Sequence, residues 1–107
     1  MPNPKIIHKN REKILDKLNN VLPILKSKFG ICRIGLFGSY AREEQNDNSD
    51  VDILIDFLPG YENYHNFMNL IDFLENICEK KIDLVSEKWT SPLLMQYIKQ
   101  DVIWIEG

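Results

Sequence analysis

The chain has 107 residues, of which 44% are hydrophobic and 27% are charged, and its formal net charge is −3. This size and composition predict one folded, soluble domain over residues 1–107, and the acidic balance argues against a general nucleic-acid-binding surface. No apolar run approaches the roughly 20 residues of a membrane span, and the opening stretch MPNPKIIHKN lacks the apolar core of a secretory signal.

The first predicted element is a helix that ends at Gly30. Apolar residues recur through it at helical spacing: Ile14, Leu15, Leu18, Val21, Leu22, Leu25 and Phe29. Pro23 cannot donate a backbone hydrogen bond to Asn19, so we expect it to kink or split this helix. Asn20 could then cap a second, shorter helix.

The remaining elements alternate between strands and helices. Buried strands are predicted for Ile31–Phe37 and Val51–Phe57, a helix for Tyr64–Lys80, and a third strand for Lys81–Ser86. Ser91 and Pro92 begin a helix that ends near Gln100, and a short fourth strand starts at Val102. This order predicts an α/β fold of the α+β type, in which helices flank a small mixed sheet.

Two aspartates lie at the start of the second predicted strand. Asp50 and Asp52 share one face of that strand, with α-carbons roughly 6.6–6.8 Å apart, and their like charges raise one pKa unless a cation intervenes. Asp83 is a third acid, placed between apolar residues of the next strand. If the two strands are neighbours, the three carboxylates form a cluster able to hold two Mg²⁺ ions.

A phosphate-binding turn is predicted where the first strand ends. Gly38 has no side chain to block the backbone, Ser39 offers a hydroxyl and a backbone N–H, and a short helix follows. Arg42 adds a guanidinium, which matches phosphate geometry. For this turn and Asp50 to reach the same phosphate, the first two strands should run antiparallel. Together these features predict a nucleoside triphosphate site.

The stretches GSYAR at 38–42, SDVDILI at 49–55 and KIDLVS at 81–86 occur in the order of a known pattern. They resemble the motifs of the DNA polymerase β-like nucleotidyltransferase superfamily, in particular its minimal nucleotidyltransferase (MNT) branch. The resemblance covers about Ile14 to Ile105. It implies that Gly38 and Ser39 hold phosphate, that Asp50 and Asp52 bind metal, and that Asp83 helps to activate the attacking hydroxyl.

The resemblance also implies a biological role. Members of the MNT branch are typically bacterial or archaeal antitoxins encoded beside a helical HEPN-domain RNase toxin. They resemble enzymes that use Mg²⁺ and move AMP from ATP onto a tyrosine of that toxin. We therefore expect an ATP-using, Mg²⁺-dependent protein adenylyltransferase with a HEPN partner and no direct nucleic-acid or membrane partner.

One residue departs from the family pattern, which has glycine after the arginine. Here Glu43 and then Glu44 follow, and two acids oppose a triphosphate unless they point away. This departure favours an alternative, in which the protein is a weakly active binding module that covers the toxin. A third possibility is transfer to a small molecule such as an aminoglycoside, but we expect that activity to require a second domain.

The two cysteines bear on the cellular compartment. Cys32 lies in a predicted strand and Cys78 in a predicted helix, and no CxxC pattern is present. We expect both to be buried, reduced thiols, which indicates a cytoplasmic protein.

Overall fold

A four-stranded sheet forms the centre of this computed structural model, which describes residues 5–105 and the side chains of residues 10–105. The strands are β1 (Ile31–Phe37), β2 (Val51–Phe57), β3 (Ile82–Ser86) and β4 (Ile103–Trp104). Their order is β3-β2-β1-β4. The β2–β3 pair is parallel, and β1 runs antiparallel to both β2 and β4. The mixed sheet confirms the predicted fold class.

The helices cover both faces of the sheet. They are α1 (Lys5–Phe29), α2 (Gly38–Arg42), α3 (Tyr64–Cys78) and α4 (Pro92–Lys99). The larger apolar cluster joins α1 and α3 to one face, and a smaller cluster packs Met95 and Ile98 of α4 against Leu54 on the other. Ser91 caps α4 as predicted, since its hydroxyl accepts a hydrogen bond from the Leu94 N–H at 3.3 Å.

Helix α1 is continuous across Pro23, so the predicted split and the second helix capped by Asn20 are wrong. Proline removes one backbone hydrogen bond here, and its ring lies on an exposed face of the helix. Leu22 and Leu25 on either side are buried in the core. Their packing against the sheet holds the helix together where its backbone ladder is interrupted.

Two smaller predictions also need correction. Helix α3 ends at Cys78, two residues before the predicted end, because Glu79 adopts a left-handed conformation with φ 54°. Strand β4 covers two residues only, and the end of its predicted range, residues 106 and 107, lies outside the described residues. No helix in the described part of the chain is long and apolar enough to cross a bilayer.

The prediction of two buried thiols holds for one cysteine. Cys78 is buried, and burial raises the pKa of its thiol. Cys32 is exposed, because the pairing of β1 with β2 shifts between Ile31 and Arg33. At such a bulge two residues oppose one on the partner strand, so the in–out alternation assumed from the sequence fails there.

Candidate active site

Three side chains form a row across the sheet at the end of β1. Phe37 of β1 is the register partner of Asp52 in β2, and Asp52 is the register partner of Asp83 in β3. Directly opposed residues on neighbouring strands project to the same face. The antiparallel β1–β2 pair and the neighbouring β3 thus provide the arrangement that the sequence predicts, with Asp52 in the middle of the row.

Asp52 occupies an unfavourable place for a negative charge. Its side chain is half-buried, whereas Asp83 and Asp50 are exposed. Burial, the charge of Asp83, a hydrogen bond with Asp83 and the charge of Asp50 together raise the pKa of Asp52 to about 6. Two carboxylates can share a hydrogen bond only when one of them holds a proton, and the raised pKa means that Asp52 takes up this proton more readily than a free aspartate does.

Asp50 is more loosely placed than the other two predicted acids. Asp50 precedes β2 by one residue and is therefore not held by the strand ladder. Among the described residues, no three His, Cys, Asp or Glu side chains converge closely enough to form a ready metal cage. The Asp52–Asp83 pair nevertheless fits a hard divalent cation, because its oxygen donors carry an unbalanced negative charge that such an ion relieves.

Gly38 lies directly against Asp52 of this pair. Its φ is +72°, a conformation that favours glycine, and a Cβ at this position would overlap Oδ2 of Asp52. Helix α2 begins at Gly38, and Ser39 follows half-buried with its carbonyl accepting a hydrogen bond from the Glu44 N–H at 2.8 Å. The predicted glycine–serine turn therefore lies against the carboxylates.

Arg42, the predicted phosphate ligand, is held by two acids. Its Nη1 donates to Asp101 at 2.8 Å and its Nε donates to Glu44 at 3.1 Å. These hydrogen bonds raise the pKa of Arg42, which stays fully charged. The positive charge also acts on Asp52, whose pKa it lowers, so Arg42 lies within electrostatic range of the carboxylate pair.

Glu43, the departure from the family pattern, has a structural explanation. It ends α2 with φ 60° and ψ 35°, a left-handed conformation that glycine adopts most readily. Its carboxylate pairs with Arg11 at 2.8 Å, and Arg11 also donates to the Ala41 carbonyl at 3.1 Å. Glu44 pairs with Arg42. Both extra acids therefore have cationic partners, which reduces the repulsion that the sequence predicts.

Two of these partners were not predicted from the sequence. Arg11 lies 30 positions before Ala41, and Asp101 lies 59 positions after Arg42. No local pattern marks either pairing, since each depends on how α1 and the segment before β4 pack against α2. Only hydrophobic periodicity, which positions α1 and α4, gave an indirect signal.

The site is of a known type. The sequence model of the family described as "Polymerase beta, Nucleotidyltransferase" matches residues 19–106. The chain belongs to this nucleotidyltransferase family. A Methanocaldococcus jannaschii relative, provisionally named a protein adenylyltransferase, is 36% identical to this nucleotidyltransferase over 99 residues, covering 87% of this chain and 99% of the relative. The protein adenylyltransferase MntA of Thermococcus cleftensis is 33% identical over 81 residues, covering 76% and 81% of the two chains.

Solved structures share the fold of this nucleotidyltransferase. A provisionally assigned minimal nucleotidyltransferase matches with a TM-score of 0.71 and 29% identity, covering 83% of this chain and 93% of that one. A toxin–antitoxin structure with AMP-PNP matches at 0.66 and 26%, covering 92% and 73%. A complex of the tri-AMPylated Shewanella oneidensis HEPN toxin with its MNT antitoxin matches at 0.59 and 23%, covering 94% and 72%, which is a likeness of fold.

Proposed function

We propose that this nucleotidyltransferase transfers AMP from ATP to a tyrosine hydroxyl of a HEPN toxin and thereby acts as its antitoxin. The observation that carries the proposal is the Asp52–Asp83 pair lying against Gly38, because it places unbalanced carboxylates beside a turn without a side chain. The names of the relatives, and the MNT–HEPN complexes among the structures of the same fold, support the choice of reaction and partner.

The proposed roles in ATP binding follow from the turn. Gly38 leaves its backbone open to the phosphates, and Ser39 offers its hydroxyl as a hydrogen-bond donor. Arg42 carries a fixed positive charge within range of Asp52, where the α-phosphate has to lie for reaction. These groups bind and orient the triphosphate and leave the acceptor side of the α-phosphate open.

Asp52 and Asp83, with Asp50 beside them, would hold Mg²⁺. We propose that two Mg²⁺ ions bind there. When bound, Mg²⁺ supplies a positive charge that stabilises the attacking and leaving oxygens of a phosphoryl-type displacement. Asp52 belongs in the centre of this set because it touches both Gly38 and Asp83. The relief of carboxylate repulsion favours binding of the ion.

The proposed reaction is an in-line displacement at the α-phosphorus. The tyrosine oxygen forms a bond to the α-phosphorus, the bond to the bridging oxygen of the β-phosphate breaks, and pyrophosphate leaves with the electron pair. Asp83, exposed at the edge strand β3, accepts the tyrosine proton. Tyrosine titrates near pH ~10 when unperturbed, so base assistance is needed at neutral pH.

Isotopic labelling tests the reaction. We expect the label of α-phosphate-labelled ATP to appear on the helical protein encoded beside this chain, and that of γ-labelled ATP to leave with pyrophosphate. Asp83→Asn should lower labelling at least about 100-fold, the usual contribution of a general base, without preventing complex formation. Asp72→Asn, which removes an exposed acid from α3, is the charge-matched control.

The same experiment separates the competing functions. Retention of the γ-label by the partner would identify a kinase-type reaction and contradict the proposal. Neutralisation of the toxin without any label transfer would favour the binding-module alternative, for which the position of Asp50 outside β2 is the supporting observation. We further propose a cytoplasmic location, because Cys32 and Cys78 are both free thiols.

A further inference from the structure

The guanidinium of Arg42 is fixed by acids from two different parts of the chain. Glu44 belongs to the loop that follows α2, whereas Asp101 lies between α4 and β4. Both pairs are partly exposed, with 42% of the Arg42 side chain and 33% of the Asp101 side chain accessible. Exposed ion pairs contribute little to folding stability, so a contribution to stability does not by itself explain why two acids hold Arg42.

The sheet register places Asp101 beside the proposed phosphate-binding turn. Strand β4 runs antiparallel to β1, with Ile103 opposite Leu36. Moving two residues back from Ile103 reaches Asp101, and moving two residues forward from Leu36 reaches Gly38. The pairing of the two strands therefore directs Asp101 towards the start of α2, where its side chain meets Arg42.

The hydrogen bonds leave part of the guanidinium available. A guanidinium has five N–H donors in a rigid fork. Asp101 binds one Nη1 hydrogen and Glu44 binds the Nε hydrogen, and among the described residues no acceptor contacts Nη2. A long side chain that is already ordered loses less conformational entropy when it binds a ligand.

We propose that Asp101 is a positioning residue for nucleotide binding, which holds Arg42 so that its remaining N–H groups meet the triphosphate of ATP. The inference rests on the proposed function, since it assigns the ligand of Arg42 as the phosphates of that substrate. It makes the segment between α4 and β4 part of the nucleotide site, although that segment contains none of the family motifs.

Calorimetric titration of ATP with Mg²⁺ tests the proposal on the protein without a partner. Asp101→Asn should weaken ATP binding roughly two- to fivefold, because it loses an exposed ion pair, and Arg42→Ala should weaken it at least about tenfold, because it loses charged hydrogen bonds. Asp101→Glu should restore part of the loss. Asp72→Asn should bind ATP as the wild type does.

A double-mutant cycle separates positioning from a general structural effect. In the Arg42→Ala background, Asp101→Asn should cause no further loss of ATP affinity, because its effect passes through Arg42. An equal loss in both backgrounds, or tighter ATP binding by Asp101→Asn, would overturn the inference; the second result would mean that Asp101 withholds Arg42 from the ligand. Absence of ATP binding by the wild type would overturn the proposed function and the inference with it.

Discussion

The two ends of the β2–β3 pair carry acidic residues in opposite circumstances. At the start of the strands, Asp52 faces Asp83, and burial together with the neighbouring negative charges raises the pKa of Asp52. Just after β3, Glu87 accepts hydrogen bonds from Arg33 at 2.9 and 3.0 Å and pairs with Lys99. Burial by itself raises the pKa of Glu87, but its two cationic partners outweigh burial and lower that pKa below its usual value.

This difference contrasts an acid that the fold itself neutralises with one that we propose binds a cation. Glu87 is neutralised by the chain itself, and Arg33 also stacks on Trp104 at 4.2 Å from the ring centroid. The Asp52–Asp83 pair is not neutralised in this way: within the described residues Arg42 is the cation that acts on Asp52, and the hydrogen bonds of Arg42 go to Glu44 and Asp101 instead. This charge imbalance supports the proposed cation site at the Asp52–Asp83 pair.

The largest effect is expected from adding a methyl group at the start of α2. Gly38→Ala should lower AMP transfer at least about 100-fold, because its Cβ displaces the Asp52 carboxylate and small misplacements of reacting groups have effects of that size. It should also lower the free energy of unfolding by roughly 1–3 kcal/mol, the cost of a strained backbone conformation.

Gly60→Ala is the matched control for this substitution. Gly60 has φ +92°, also positive, but a Cβ there meets no atom within 4 Å. The Gly60→Ala variant should therefore be less stable than the wild type because of backbone strain, but it should retain AMP transfer. Equal transfer by the two variants would mean that the contact between Gly38 and Asp52 has no part in the reaction.

A smaller effect is expected on the pH dependence of the free energy of unfolding in metal-free buffer. The pKa of Asp52 is about 6 in the folded state against 3.8 for the unperturbed group, so between these values the folded state holds a proton that the unfolded state has lost. Its contribution to the free energy of unfolding should fall as pH rises from about 4 to about 6. Asp52→Asn should therefore be more stable than wild type at pH 7 in EDTA, and lose this advantage near pH 4.

Thermal unfolding in EDTA and in Mg²⁺ measures this effect. Mg²⁺ should stabilise the wild type above pH 6, because the ion binds the folded state, and should have little effect on Asp52→Asn. A variant that is clearly less stable than wild type in EDTA at pH 7 would show that Asp52 is structural.

The smallest effect is expected at the other end of the strands, with the opposite sign. The lowered pKa of Glu87 means that its stabilising contribution is present above the unfolded pKa and is lost as pH falls through the folded value. Glu87→Gln should lower the free energy of unfolding at pH 7 by about 1 kcal/mol or less, and the loss should decrease in high salt. If Glu87→Gln instead raised the free energy of unfolding, Glu87 would not stabilise the fold, and the contrast with Asp52 would be wrong.

Short-range patterns predicted the elements of the site well. The apolar runs at Val51–Phe57 and Lys81–Ser86 predicted both strands, and the pairing of the two strands brings Asp52 and Asp83 into register. Prediction was weaker where tertiary packing outweighs a local preference. Pro23 does not divide α1, because the leucines around it are buried, and Cys32 is exposed because a bulge alters the strand.

The order of elements, the glycine–serine turn and the acids on their strands can be predicted from the chain alone, because they depend on side-chain periodicity and on backbone preferences of single residues. Which charges are paired depends on the folded arrangement. Arg11 meets Glu43 and Asp101 meets Arg42 because helix packing and the β1–β4 register bring distant segments together. Ion pairs have no sequence periodicity of their own, so the electrostatics of the site emerge only once the chain has folded.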